Sequence, residues 1–414
     1  MRGHSLNRFL RRILLLLVRL YGAAGARAAA RQVRQSTATK PRILLIRPDY
    51  LGDLVLTTPV LQALKTAVPD AHITMMVGPW SSEVVARHPA VDQLLVCPFP
   101  GVRGAHKKSL RPFLLMRIAK QLKRGNFDLA INFRLKSWWI SALIYLAGIP
   151  RRIGYASSLN TPFLTRTLPE RSHEHLSAAS LRLLSAGLQS LNYPPLAGPK
   201  TPERYPLYFK PTVEEHQWAI QRLSTEGIDP AALLIVIHPG AGAAVKLWRS
   251  EAWANCATRL SQSLAHTTAV HFVLTGTTGE QPLLEEIARA TSARATIVTG
   301  MSIGQLAALL ELAQLVLGVD SGALHLAVAQ GTPTVRIYGP IDPHNFGPWG
   351  SQEQQHVVIA STHRCPGCPI IPCGHLSFPP HELVSHPCVR LVPEQQVLDA
   401  VALALQEVVL QKNV

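Results

Sequence analysis

Three observations predict an α/β fold built from two open parallel sheets. Short apolar runs alternate with helix-length segments from Arg42 onward. A stretch rich in Pro, Gly and Lys from Pro194 to Pro211 interrupts that rhythm near the middle, and 414 residues exceed one ordinary domain. Two turns, Ile46-Arg47-Pro48-Asp49-Tyr50-Leu51-Gly52-Asp53 and Gly318-Val319-Asp320-Ser321-Gly322-Ala323-Leu324-His325, each follow an apolar strand and precede a small-residue helix. In open α/β sheets ligands bind at that edge.

The first unit starts at Arg42, where Ile43-Leu44-Leu45-Ile46 has the continuous apolar character of a strand buried on both faces. A helix is expected over 54–67, strands over 72–77 and 91–96, and a basic stretch over 98–125 that becomes helical toward Lys123. Residues 127–132 return to the sheet, 137–147 read as an apolar helix and 151–155 as a strand edge. The second unit opens with a strand over 233–238 running into Pro239-Gly240-Ala241-Gly242. Helices over 250–265, 279–289, 303–312 and 323–330 then alternate with strands over 269–274, 296–298, 315–319 and 334–338. The expected partition is an extension at 1–40, a first domain at 41–200, a linker at 201–230, a second domain at 231–355, a Cys/His-rich segment at 356–391 and a terminal helix at 392–414.

Lys and Arg total 41 against 25 Asp and Glu, a formal charge of +16, which favours an acidic partner: nucleic acid, anionic lipid, phosphorylated sugar or nucleotide diphosphate. Between Arg2 and Arg42 there is no Asp or Glu, and residues 9–21 mix Leu and Ile with Arg. The apolar run Ile13 to Val18 is far shorter than the roughly 20 residues that span a bilayer, so this segment reads as a helix lying in an anionic membrane interface. A basic tail without a partner and a signal peptide are the other readings of the same residues.

No dinucleotide fingerprint or phosphate loop ending in Gly-Lys-Ser/Thr is present, so the first domain is expected to present a base to an acceptor. Asp53 sits in the turn after the first strand, where a helix cap is the structural alternative. In the second domain, the small residues Gly240 and Gly242 allow close backbone approach, Lys246 adds a cation and the next helix offers free amides, a combination suited to a diphosphate. Ser321, Gly322 and Ala323 open another helix N-terminus, with His325 one turn on. Glu280 ends a strand at the same edge, where it can accept hydrogen bonds from ribose hydroxyls.

Three blocks carry a resemblance: residues 45–53, His238-Pro239-Gly240-Ala241-Gly242 with Lys246 and Trp248, and residues 319–327. In this order they resemble the hallmark blocks of the bacterial lipopolysaccharide heptosyltransferase family. The resemblance implies a GT-B glycosyltransferase whose two Rossmann-like domains face across a cleft and which needs no catalytic metal. It also implies inverting transfer, typically from ADP-heptose, to a lipid-anchored saccharide at the cytoplasmic face of the inner membrane. Carried over, Asp53 matches the general base, Lys246 the donor phosphate lysine and Asp320 the contact to the donor sugar. Arg47, Asp49, Arg134, Lys136, Arg151 and Arg152 are expected to serve an anionic acceptor.

After these blocks come Cys365, Cys368, Cys373 and Cys388 in a C-x2-C-x4-C-x14-C series. Four thiolates suit a closed tetrahedral zinc site; reduced thiols and disulfides are the alternatives. A transferase using another nucleotide sugar, a noncatalytic glycan-binding protein and a nucleic-acid-binding module are the competing functions. Nucleic acid is not expected as a partner, because the finger spacings and aromatic RNA-binding strands of common modules are missing.

Overall fold

The computed structural model describes residues 15–25, 27–28, 40–100, 112–135, 137–350 and 355–412. The chain divides into two units, one comprising 1–50, 57–172 and 177–200 and the other 51–56, 173–176 and 201–414.

Unit one holds a parallel sheet of β1 (Arg42–Arg47), β2 (His72–Val77), β3 (Gln93–Val96), β4 (Leu129–Asn132), β5 (Arg151–Tyr155) and β6 (Arg166–Leu168), in the order β3-β2-β1-β4-β5-β6. Ile43, Leu44, Leu45 and Ile46 are fully buried because helices cover both sheet faces. The expected helix over 54–67 is two helices, Leu51–Val55 and Thr58–Ala67, with Pro59 in the first turn of the second. Asp53 therefore lies inside a five-residue helix rather than ahead of a long one.

Residues 15–25 form a helix that Leu15 and Val18 dock against Ala142, Tyr145 and Phe163. The Tyr145 hydroxyl donates to the Arg19 carbonyl at 2.8 Å, and a side chain on Gly22 would reach within 2.3 Å of the Tyr145 ring. Leu16, Leu17, Leu20 and Tyr21 remain 56 to 72% exposed. No helix among the described residues is long and apolar enough to cross a membrane.

Unit two repeats the plan with β7 (Leu233–His238), β8 (Val270–Gly276), β9 (Ala295–Thr299), β10 (Leu315–Val319), β11 (Thr334–Tyr338) and β12 (His356–Ala360), ordered β12-β11-β10-β7-β8-β9 and parallel throughout. In each unit the first strand lies inside the sheet and the connections run outward on both sides of it, the doubly wound arrangement. The sixth strand β12 falls in the segment set apart as Cys/His-rich. Residues 201–230, expected as a linker, carry the helix Val213–Thr225. Thr212 and Glu215 close its N-terminus by a reciprocal capping box worth about 1 kcal/mol. The terminal helix Glu394–Lys412 sends Val397, Ala400, Val401 and Ala404 into the same core as β7 and β8.

Burial holds the imidazoles of His88 and His175 down to about 4 and that of His356 down to about 3. Their folded values lie below the ordinary 6.5, so the unfolded chain binds more protons through this interval. The stabilisation is complete above pH 6.5 and is lost as pH falls through about 4. The melting temperature should drop steadily from pH 7 to 4.5, and His88→Gln should flatten the slope; an unchanged slope in that variant removes His88 from the acid response.

Candidate functional site

In unit two the strand order reverses between β7 and β10, and the loops leaving their carboxyl ends bound a crevice. Past β7, the 3-10 turn Ala244–Lys246 brings the Lys246 ammonium 2.6 Å from the Asp320 carboxylate, which stands at the end of β10. Both side chains retain slight exposure, 15% and 10%. Ser321 precedes the helix Gly322–Ala329 with extended backbone, but its hydroxyl makes no capping bond and is buried without a partner. The first-turn amides of this helix are the unsatisfied donors of any helix start.

Two glycines admit a second element to that terminus. A side chain on Gly322 would meet Leu51 at 2.9 Å, and one on Gly52 would meet the His325 ring at 2.9 Å and the Gly322 Cα at 3.3 Å. The helix Leu51–Val55 therefore packs against Gly322–Ala329 within unit two, carrying Asp53 beside the start of that helix.

Glu280 accepts from the Thr277 amide and hydroxyl at 2.7 and 2.8 Å, and its carboxylate fills the space over Gly240, where a Cβ would fall 2.0 Å from Oε1. The loops after β7 and β8 are thus in contact, and Gly240 is required for it; Gly242 faces open space. His238 joins the same two strands through the Thr275 hydroxyl at 3.0 Å, its pKa lowered by burial against the opposing pull of Glu280.

In unit one the reversal lies between β1 and β4. Asp49 pairs there with Arg47 at 3.0 Å and Arg134 at 3.4 Å, while Arg47 also donates to the Phe133 carbonyl at 2.7 Å. Trp80 and Ser81 donate to the Asp49 carbonyl at 2.9 and 3.2 Å. Arg47 is buried and Arg134 is partly exposed, so the first orients Asp49 and the second reaches solvent. Arg151 and Arg152 do not join this group. They begin β5, at the opposite sheet edge from the carboxyl ends. Arg151 donates to Ser190 O, and buried Arg152, its guanidinium over the Tyr145 ring, donates to the carbonyls of Phe163 and Ile149. Both hold backbone carbonyls at that edge, away from the Asp49 group. Lys136 lies outside the described residues, as do Arg103, His106, Lys107, Lys108 and Arg111 of the basic stretch.

Cys365, Cys368, Cys373 and Cys388 are all free thiols, with Cys365 and Cys388 buried. The Cys368 thiol is perturbed by Cys373 and Cys365, and that of Cys388 by Cys365 and Cys373, so the four thiols are neighbours. Desolvation and then the neighbouring thiols push Cys368 up to about 11 and Cys388 up to about 12. The His386 ring nitrogen lies 3.4 Å from the Cys368 sulfur.

Two features escaped sequence reasoning. Arg336, in the middle of β11, is fully buried beneath His325; its signal was a lone charge in an apolar strand. Asp342 receives the Nδ1 atoms of His344 at 2.9 Å and His173 at 3.0 Å, and these ligand-type atoms converge closely enough to hold a cation. Burial alone would raise the Asp342 carboxyl, but the bonds from His344 and His173 hold it below its ordinary value.

The profile of glycosyltransferase family 9 (heptosyltransferase) matches residues 115–367. Lipopolysaccharide heptosyltransferase 1 of Pseudomonas aeruginosa is 26% identical over 332 residues, spanning 79% of this chain and 86% of the relative. Lipopolysaccharide heptosyltransferase 3 of Escherichia coli K12 is 26% identical over 309 residues, spanning 72% and 83%. Among solved structures, a glycosyltransferase family 9 protein of Veillonella parvula superposes with a TM-score of 0.70 at 23% identity, covering 90% of this chain and 99% of that one. ADP-heptose lipopolysaccharide heptosyltransferase II of Escherichia coli gives 0.65 at 20% identity, covering 88% and 99%. These likenesses show the GT-B fold, with its two parallel α/β units. With the profile covering more than half of its length, the chain belongs to glycosyltransferase family 9, the heptosyltransferases.

Proposed function

We propose that this glycosyltransferase moves heptose from ADP-heptose to a lipopolysaccharide-core acceptor with inversion at the anomeric carbon. The observation that carries this reading is the Lys246–Asp320 pair in the β7/β10 crevice, beside the open amides of Gly322–Ala329 and the unpartnered Ser321 hydroxyl. A cation and several fixed donors suit a diphosphate. The curated relatives named above are lipopolysaccharide heptosyltransferases, and one superposed structure is named for ADP-heptose.

In the proposed reaction Asp53 takes the proton of the acceptor hydroxyl as its oxygen bonds to the anomeric carbon. The bond from that carbon to the phosphate oxygen breaks, and ADP departs with the electron pair. Before donor binding, Lys246 and Asp320 neutralise each other. Donor binding exchanges partners: sugar hydroxyls hydrogen-bond Asp320, and Lys246 with the amides of Ser321, Gly322 and Ala323 faces the charge gathering on the diphosphate. Glu280, at the strand end beside Gly240, faces the ribose. Asp49 and Arg134 meet the anionic acceptor.

The helix over 15–25 would bring the enzyme to the acceptor by settling on the cytoplasmic face of the inner membrane. Its exposed Leu16, Leu17, Leu20 and Tyr21 belong to a stretch without acidic residues, the combination that partitions into anionic interfaces. Cys365, Cys368, Cys373 and Cys388 would hold a structural zinc ion, which requires thiols that burial keeps protonated to release their protons on binding.

Asp53→Asn should lower kcat by about 10²- to 10⁴-fold while retaining ADP affinity, whereas Lys246→Ala should weaken ADP binding by about tenfold or more. Near-normal turnover of the first or unchanged titration of the second removes the assigned role. Elemental analysis of protein purified without added metal should find one zinc per chain; its absence rejects the zinc reading. Replacing Leu16, Leu17 and Leu20 together by Ser should abolish flotation with phosphatidylglycerol vesicles, and undiminished flotation places the membrane contact elsewhere.

A further inference from the structure

Arg336 occupies the middle of β11, between Gly318 of β10 and Val358 of β12, and is completely buried. Its hydrogen-bond partners are the Thr334 hydroxyl at 3.1 Å, the Leu324 carbonyl at 2.6 Å and Nδ1 of His325 at 3.3 Å. None is a carboxylate. A cation buried this way carries a desolvation cost that the charge of Asp320 offsets in part.

The contact with His325 has one chemical interpretation. Guanidinium has five N–H donors and no acceptor, so Arg336 donates and Nδ1 accepts through its lone pair. A ring with Nδ1 unprotonated and a cation against it is neutral, and its proton is on Nε2. Burial first, then Arg336, His175 and Lys246, hold the His325 pKa well below its ordinary value. The nearby acidic groups are Asp320 at the end of β10 and Asp53 on the packed helix Leu51–Val55.

The opposite ring edge lies against the start of the helix Leu51–Val55. Cδ2, bonded to Nε2, is the atom that a Cβ on Gly52 would meet, and Gly52 also lies against Gly322 at the helix start. Among the described residues the ring bonds Arg336 through Nδ1, which leaves Nε2 for a ligand, and the Ser321 hydroxyl nearby is buried without a partner.

We propose that Arg336 is a positioning residue that locks His325 in its Nε2–H tautomer, making it a neutral, oriented hydrogen-bond donor to the nucleoside diphosphate as it leaves. This rests on the donor-site reading above. A donor fixed beforehand stabilises developing negative charge without reorganising during the reaction. Because the ring stays neutral, its donation does not vary across neutral pH.

The test uses the full chain with nitrogen-15-labelled histidine, the His325 signals being assigned by their loss in His325→Gln. Wild-type protein should show an unprotonated Nδ1 and a protonated Nε2 from pH 8 to 5.5, and ADP should shift the Nε2–H resonance. An Nδ1–H tautomer or an imidazolium at pH 7 overturns the proposal, and so does ADP binding that leaves the resonance unmoved. Failure of ADP to bind at all instead removes the donor-site reading, and the proposal's ligand with it. In Arg336→Met, burial still keeps the ring neutral, but an Nδ1–H population should appear in its nitrogen-15 spectrum; a spectrum that keeps the wild-type tautomer overturns the lock. The side-chain amide nitrogen of Gln reaches the place of Nε2 and that of Asn the place of Nδ1. His325→Gln should therefore retain about tenfold more kcat than His325→Asn, and equal losses count against the proposal. If Arg336→Met does not fold, the wild-type spectra still decide.

Discussion

Between β7 and β10 the connections depart toward opposite faces of the sheet, and Asp320 meets Lys246 in the space they leave. Two charges this close to the interior lose much of their hydration, and each offsets the loss for the other. The pair keeps a polar crevice open at a place where packing would otherwise close it with apolar side chains. Unit one uses the equivalent reversal between β1 and β4, but there a single carboxylate, Asp49, stands between two guanidiniums, Arg47 and Arg134. One topology thus yields two crevices with different surplus charge. Unit two can exchange the internal partner of its one cation for an anionic ligand. Unit one already holds a spare cation, Arg134, that reaches solvent.

Other arginines are built into the framework on different terms. Arg152 and Arg336 are buried and hold carbonyls, a hydroxyl or a ring nitrogen rather than carboxylates. Guanidinium can do this because its planar fork satisfies several acceptors at once and stays charged in the interior. Arg152 ties β5 to the turn before β6, and Tyr145 beneath it also holds the helix over 15–25 through Arg19. The proposed membrane-facing helix therefore rests on side chains of unit one that Arg152 also contacts.

The strand cores and the strand-to-helix turns were legible because parallel strands buried on both faces must be continuously apolar, as Ile43 to Ile46 and Leu234 to Ile237 are. The turns at Asp53, Lys246 and Asp320 could be located for the same reason: they are where such runs stop. Sheet edge was harder to read. The charge of Arg151 and Arg152 was visible, but their place at the start of β5 and their carbonyl partners were not. Residues 201–230 looked like a linker because Pro and Gly dominate the approach, while the capping pair Thr212 and Glu215 was overlooked. Arg336 was invisible as a partner because its contact with His325 joins a strand to a helix across the core.

The Cys-bearing segment connects to the donor side through the backbone. Trp248, two residues past Lys246, is buried and donates to the Val392 carbonyl at 3.0 Å. Ser361 donates to the Cys388 carbonyl at 2.6 Å, and Gly339, just after β11, leaves room for the Cys388 sulfur only because it lacks a side chain. Cys365, Cys388 and Val392 share one core with Trp248 and the terminal helix. The thiol cluster and the Lys246 loop therefore press on common side chains. Core packing leaves little free volume, so the two segments are bound by one packing constraint, and a change of side-chain volume at Cys365 or Cys388 is felt at Trp248.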